Sequence, residues 1–219
     1  CKYSDSQCLV NVINQIFREK ADTGDAGLDL VKLEPLAINR LRIQKGKESP
    51  INIDLVLTNN NVYGLKTVKK HFRGFSKDLT KRHELRMHAD SLYMIGPYSI
   101  TGKVLVLPIR GEGESNFTLS NVDFTASFSG KTNERDGEIY LEPVKFALDA
   151  SPERLYYNFT NLFNGDKALG DNMNLFLNEN WEPIYREVKP ELLDGFAIKF
   201  EEIVKKIFSK TPYNKILLE

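Results

Sequence analysis

The feature that most constrains the fold is a change of hydrophobic period at residue 51. From there apolar residues recur at every second position, the pattern of a half-buried strand, beginning with Ile51, Ile53, Leu55 and Leu57. Further strand patterns follow almost without interruption at 61–72, 82–95, 98–109, 115–129, 137–149 and 153–163. Turn signals such as Gly96-Pro97 and Asp136-Gly137 separate them. Connections this short favour an antiparallel meander.

The alternation changes phase within two of these strands. Phe117 and Leu119 lie on one face, whereas the next apolar residue is Val122, which indicates a β-bulge near residues 120–121. A second change falls at Glu142-Pro143, where proline has no N–H to donate to a central ladder. Either these irregularities belong to a sheet edge, or bulges bend the sheet until it curls around whatever lies on its apolar side.

The strongest helical pattern in the chain covers residues 166–209. In its first half the apolar residues fall within a stripe about 140° wide, broader than a surface helix needs: Leu169, Met173, Phe176, Leu177, Trp181, Ile184 and Val188. In its second half, from Leu192 to Phe208, they cluster on nearly the opposite side. The helix is therefore bent or broken near Pro183 and Pro190, or it is one long helix buried first on one face and then on the other.

This surplus of apolar surface has two interpretations. One is an ordinary core. The other is an elongated apolar chamber, enclosed by a curved sheet, that holds something other than protein. The polar stretch at the start of the helix contains Asp171 and Asn172, and one of them is expected to cap its free amides.

A shorter amphipathic helix is predicted over residues 8–20. It begins at Cys8, which with Cys1 makes up the whole cysteine content. If residues 1–8 were helical, the two Cα atoms would lie about 10 Å apart, beyond the roughly 7 Å limit for a disulfide, so the pair can bond only if this segment loops. A redox or metal-binding role is disfavoured because no histidine lies nearby.

Length and charge narrow the classes of function. The 219 residues suit one domain, placed at 1–217, with Leu218-Glu219 as a candidate vector-derived tail. With 30 basic and 30 acidic residues there is no electrostatic footprint for nucleic acid, and no apolar run approaches the roughly 20 residues that span a bilayer. The start at Cys1 without an apolar leader fits a secreted protein whose signal peptide has been removed. Asn116 and Asn158, each in an Asn-Phe-Thr sequon, are candidate glycosylation sites.

Catalytic chemistry finds little support. The sequence has no G-x-S-x-G elbow, and its three histidines are His71, His83 and His88. His83 and His88 lie five residues apart on a predicted strand, so their side chains point to opposite faces, and both are expected to be solvated. Gly111-Glu112-Gly113 lacks the dinucleotide fingerprint, and the basic run at 66–86 is interpreted as a solvated strand face. We expect no enzyme activity, no metal and no cofactor.

Several stretches resemble the takeout-like and haemolymph juvenile hormone binding protein family of insects. The resemblance rests on "LFNGDKALGDNMNLFLNENW" and "IFSKTPYNKI" near the C-terminus, and on "GLDLVKLEPLAINRLRI", "VYGL", "YSITGKVLVLPIRGEG" and "LSNVDF" in family order. Takeout-like members typically keep one N-terminal disulfide, which Cys1 and Cys8 match. The hormone-binding branch has a second bridge that this sequence lacks, so the takeout branch is favoured and juvenile hormone is disfavoured as the ligand.

The resemblance implies an α+β fold in which a strongly curved antiparallel sheet wraps a long C-terminal helix, as in TULIP-like lipid-binding proteins. Sheet and helix together are expected to enclose a hydrophobic tunnel. The residues expected to line it are Ile53, Leu55, Phe117, Leu119, Phe124, Phe128, Leu141, Phe146, Leu148, Phe159, Met173, Phe176, Leu177, Trp181 and Ile184.

The expected function is that of a secreted, monomeric carrier for a long hydrophobic small molecule, such as an isoprenoid or a fatty-acid derivative. Release would involve transient contact with a membrane or a receptor. The bound molecule is cargo rather than a cofactor, and a tyrosine, asparagine or threonine is expected to hold its polar end. The alternatives are a protein-interaction or signalling factor whose interior is solid core, and, third, a lipid esterase.

Overall fold

One antiparallel sheet and two consecutive C-terminal helices make up most of the protein. The structure is a computed structural model that describes residues 1–2, 5–46, 48–73 and 78–216, with 70–73 described by their backbone alone. The strands are β1 Leu36–Gln44, β2 Ile51–Tyr63, β3 Lys69–Arg73, β4 His83–Val104, β5 Leu107–Arg135 and β6 Glu138–Phe159. The helices are α1 Ser6–Lys20, α2 Lys167–Glu179, α3 Trp181–Lys210 and α4 Tyr213–Ile216. The predicted tail at 218–219 and the side chain of His71 lie outside the described part.

The sheet curls around α3. Its strand order is β1-β2-β4-β5-β6, with β3 paired to β4, and every pairing is antiparallel. Helix α3 packs against both β1 and β6, the first and last strands of that order. A single helix can contact both edges of a sheet only if the sheet bends round it. The predicted α+β arrangement of a wrapped helix is therefore confirmed.

The predicted turn at Gly96-Pro97 is wrong, because β4 runs straight through it and turns into β5 only after Val104. Opposite this point β2 has one residue more than β4, since Leu57 pairs with Tyr98 but Asn61 pairs with Ile95. This β-bulge bends both strands while pairing continues. The predicted turn at Asp136-Gly137 is confirmed: both residues have positive φ, 53° and 75°, as a tight two-residue hairpin requires.

The bulge predicted at 120–121 is wrong. The pairing register with β4 is the same at Ser120 and at Val122, and so is the register with β6. No extra residue is therefore inserted between them. Instead Asn121 adopts a left-handed conformation with φ 45°, and its amide donates to Glu153 Oε2 of β6 at 2.6 Å. In β4, β5 and β6 alike, the alternation of buried and exposed residues shifts by one position where the strands are level with Asn121. Because the three strands bend together, the change of phase needs no extra residue.

The second irregularity is real but lies three residues beyond the predicted site. Two residues of β6, Lys145 and Phe146, face only Phe128 of β5, and Lys145 has φ 54°. Pro143 stays in register, paired with Gly130. Proline is tolerated there because β6 is an edge strand, which leaves one side of its backbone without a ladder partner.

The long helical pattern is broken at Asn180 rather than at either proline. Asn180 has φ −109° and ψ 26°, which separates α2 from α3. Pro183 lies in the first turn of α3, where its missing N–H is not needed, and Pro190 lies within that helix. The predicted caps Asp171 and Asn172 are wrong: α2 begins earlier, and its cap is Asp166, which accepts from the Leu169 amide at 3.0 Å.

Helix α2 closes the open edge of β6 through two asparagines. Asn174 accepts from the Phe159 amide and donates to the Phe159 carbonyl, both at 2.9 Å. Asn178 makes the same pair with Tyr157, at 2.9 and 2.8 Å. Four helical residues rise about 6 Å and two strand residues about 6.6 Å, so the spacings match. The two amides thus take the place of a neighbouring strand.

A second, smaller core lies where α1 and α4 meet the sheet. Its buried members are Leu9, Leu79, Phe128, Leu141, Phe208 and Tyr213. The disulfide Cys1–Cys8 is formed, with a Cα–Cα distance of 5.6 Å. Asp5 caps α1 by accepting from the Cys8 amide at 2.9 Å, so the helix begins at Ser6 and does not extend back to Cys1.

His83 borders this second core, and its predicted solvation is wrong, because its side chain is 1% exposed. Its Nε2 lies 3.2 Å from the Leu79 carbonyl oxygen, and its ring packs on Phe128. Burial lowers the pKa of His83 below its ordinary 6.5, more than the Leu79 carbonyl and nearby Asp78 raise it. His88 stays half-exposed, with Nδ1 2.7 Å from Asp123 Oδ1.

We therefore expect the protein to lose stability on mild acidification. Below pH about 6.5 the unfolded chain takes up a proton at His83 that the folded chain, with its lowered pKa, does not. The free energy of unfolding should fall as pH falls, by up to about 1.4 kcal/mol per pH unit from this group. Urea unfolding between pH 7.5 and 5.5 measures the slope, and His83→Gln should flatten it. Equal slopes in both proteins would contradict the assignment.

Candidate functional site

An apolar cavity lies between the concave face of the sheet and α3. The cavity has a volume of about 170 Å³. A single water molecule needs only about 10–15 Å³ on the same measure. Apart from Asp149 and the hydroxyls of Tyr93, Tyr157 and Tyr185, the lining side chains are apolar. The interior is therefore not filled by its own side chains.

The helical wall of the cavity is a single stripe along α3. It consists of Ile184, Tyr185, Val188, Leu192, Leu193, Phe196 and Phe200, preceded by Leu177 of α2. Steps of four residues connect Ile184 to Phe200, a length of about 24 Å. Each such step turns the stripe by about 40°, or about 160° in total. The two apolar faces that the sequence suggests are one stripe winding round the helix.

Nine of the residues predicted to bind ligand line the cavity: Ile53, Leu55, Phe117, Leu119, Phe124, Leu148, Phe159, Leu177 and Ile184. The structure brings them together from β2, β5, β6 and both long helices. Their role in binding remains a prediction, and their placement makes it physically reasonable.

The other six lie elsewhere. Phe128, Leu141 and Phe146 belong to the second core, at and beyond the β6 bulge. Met173, Phe176 and Trp181 pack against the main core without reaching the cavity lining. Trp181 has the Arg154 guanidinium 5.6 Å from its ring centroid. The cavity therefore begins one to two helical turns later than the sequence suggests.

Sequence reasoning missed a larger set of lining residues. From the sheet these include Leu36, Ile43, Leu57, Val62, Met87, Met94, Ile100, Val104, Val122, Ala126, Leu155 and Tyr157. All follow the alternation of their strands, so the pattern marks them as inward-facing. What it does not mark is which inward-facing residues meet the void and which meet another side chain.

The polar groups at the cavity are few and mostly paired. Tyr185 donates its hydroxyl to the Ala150 carbonyl at 2.9 Å, and burial raises its pKa to about 12. Asp149 pairs with Lys189 at 2.6 Å. Over the described residues the lining holds no serine, cysteine or histidine, and no cluster of metal-ligating side chains occurs. Such a wall can bind an apolar molecule but offers no nucleophile with its base.

The two candidate glycosylation sites lie on the outer face of the sheet. Asn116 and Asn158 are paired neighbours on β5 and β6, and both are exposed. Their side chains point away from Phe117 and Phe159, which line the cavity. A glycan at either asparagine would leave the cavity unobstructed, and modification itself remains a prediction.

Comparisons with known proteins agree with this architecture. The family described as haemolymph juvenile hormone binding protein (JHBP) matches residues 1–218. The chain is 28% identical to the circadian clock-controlled protein daywake of Drosophila melanogaster and 27% identical to that of Drosophila yakuba, each over 98% of this chain and 85% of the relative. The crystal structure of Epiphyas postvittana Takeout 1 superposes with a TM-score of 0.87 at 22% identity, covering 100% of this chain and 99% of that one. Among the described residues, no helix has the length and apolar character needed to cross a membrane.

Proposed function

Because the chain belongs to the haemolymph juvenile hormone binding protein family, we propose that it is a secreted carrier that encloses a long hydrophobic small molecule for transport or sequestration. The single observation that carries the proposal is the unfilled apolar cavity beside α3. A family and a fold of binding proteins support the same conclusion. We propose that the cavity stores its cargo and catalyses no reaction, because its lining over the described residues holds no serine, cysteine or histidine.

The energetics of burial suffice for carriage without any chemistry. Each methylene group removed from water contributes about 0.8 kcal/mol, so a chain of about 15 carbons gains on the order of 12 kcal/mol. Lost rigid-body freedom and side-chain ordering offset several kcal/mol of that gain. A remainder of about 8 kcal/mol corresponds to micromolar affinity. Isoprenoids and fatty-acid derivatives have the required length and flexibility.

The carrier is tested by asking what the purified protein holds. Organic extraction followed by mass spectrometry should reveal a co-purified long-chain lipid, and the fluorescence of added N-phenylnaphthylamine should rise on binding and fall when hexadecane displaces it. A protein-interaction factor with a solid core would show neither signal. Absence of both co-purified lipid and probe binding would therefore reject the carrier.

A further inference from the structure

One buried hydroxyl in the cavity wall has no hydrogen-bond partner in the part of the chain that the structure describes. Tyr157 is 8% exposed, and no partner for its Oη occurs among the described residues. Two other buried tyrosines differ: Tyr98 donates to the Thr160 carbonyl at 2.7 Å and Tyr185 to the Ala150 carbonyl at 2.9 Å. Buried polar groups in native proteins are nearly always paired, so an exception calls for an explanation.

The backbone of Tyr157 is fixed by its neighbours. Its N–H and carbonyl are both bonded to the Asn178 side chain of α2, and its ring packs edge-on against Phe117, with centroids 6.0 Å apart. The ring lines the cavity together with Leu177 and Ile184. The Tyr157 hydroxyl is thus buried at the wall near Tyr185, whose own hydroxyl already donates to the Ala150 carbonyl, so a molecule in the cavity is the available partner.

We propose that Tyr157 Oη donates the hydrogen bond that holds the polar end of the cargo, and that the cargo is an uncharged chain with an acceptor oxygen, such as an ester or ketone carbonyl. The inference rests on the proposed carrier function and makes it more specific. It names both the anchoring residue and the class of head group that the cavity accepts.

The charges around the cavity favour an uncharged head group. Burial raises the pKa of Tyr157, so its hydroxyl remains a neutral donor at physiological pH. No lysine, arginine or histidine occurs in the lining that the structure describes, and the acidic Asp149 there is already paired with Lys189. A fatty-acid carboxylate beside Tyr157 would be buried without a countercharge, which is costly. A carbonyl oxygen accepts the same hydrogen bond without that cost.

Three probe ligands of similar length separate these contributions: hexadecane, methyl palmitate and palmitate, each competing with N-phenylnaphthylamine at pH 7.5. Wild-type protein should bind methyl palmitate about fivefold to tenfold more tightly than hexadecane, and palmitate more weakly than methyl palmitate. Tyr157→Phe should reduce the ratio of methyl palmitate affinity to hexadecane affinity to about one, because it removes the donor that distinguishes the two ligands. Its thermal stability should equal or exceed that of wild type, because no intramolecular hydrogen bond is lost.

Tyr98→Phe is the matched control, since Tyr98 lies outside the cavity lining and its hydroxyl is already bonded within the protein. It should lower stability and leave the ratio of ester to alkane affinity as in wild type. If Tyr157→Phe keeps that ratio, or if palmitate binds as tightly as its methyl ester, the inference fails while the carrier stands. If neither the fluorescent probe nor any of the three ligands binds wild type, and no lipid co-purifies, the carrier proposal itself fails.

Discussion

Replacing Ala126 with tryptophan should weaken the binding of hexadecane and N-phenylnaphthylamine more than a hundredfold. Ala126 lies on β5 and its methyl group lines the cavity, so an indole in its place occupies space that cargo needs. In a filled core such a substitution would cost about 1–3 kcal/mol or more through overpacking. Here the void accommodates the ring, so the free energy of unfolding should change by less than about 1 kcal/mol. Probe titration and urea unfolding measure the two quantities.

Ala147→Trp is the matched control for this substitution. Ala147 lies on β6, one strand away, and its side chain is exposed on the outer face. The same added ring should there leave binding and stability close to wild type. A collapse of stability in Ala126→Trp, with binding and folding lost together, would show that this part of the wall is ordinary core.

Replacing Asn178 with leucine should lower the free energy of unfolding by about 3 kcal/mol. The side chain satisfies both backbone groups of Tyr157, and leucine would leave that N–H and carbonyl half-buried without partners. Each unsatisfied group costs about 1–3 kcal/mol. Urea unfolding followed by circular dichroism gives the loss. Because Tyr157 depends on the same contact for its position, the preference for methyl palmitate over hexadecane should also decline.

Asn172→Ala provides the comparison on the same helix. Asn172 is exposed, so its loss should change the free energy of unfolding by no more than about 0.5 kcal/mol. No loss in Asn178→Leu, or an equal loss in Asn172→Ala, would contradict the prediction, because alanine and leucine both have higher helix propensity than asparagine. The bonds to the edge of β6 would then contribute nothing of their own.

The elements could be predicted because each has a local cause. Alternation of apolar residues locates the strands, and the left-handed pair Asp136-Gly137 ends β5. The bend at Gly96-Pro97 could not be predicted, because the extra residue that produces it lies in β2, more than 30 positions earlier. Buried Asn60 stabilises the bulge there, since its amide donates to the Pro97 carbonyl at 2.9 Å. A Gly-Pro pair that forms a turn and one that lies opposite a bulge cannot be distinguished by sequence until the pairing of the neighbouring strand is known.

The site was harder to predict than the fold for a related reason. Hydrophobic spacing shows that Met173 and Phe196 are both turned inward, but only the curvature of the sheet decides that Phe196 meets the void and Met173 meets protein. Asn174 and Asn178 read as the polar side of an amphipathic helix. Their spacing of four residues matched two strand residues of β6, a correspondence that becomes visible only when the two elements are side by side.

The winding of the apolar stripe on α3 also bears on selectivity. A molecule that lies along the stripe from Ile184 to Phe200 must follow a right-handed curved path rather than a straight one. It can adopt that path only by rotation about its own single bonds. We therefore expect the cavity to discriminate between ligands by their flexibility. Flexible acyclic chains should bind, and rigid fused-ring compounds of equal length and hydrophobicity should bind weakly.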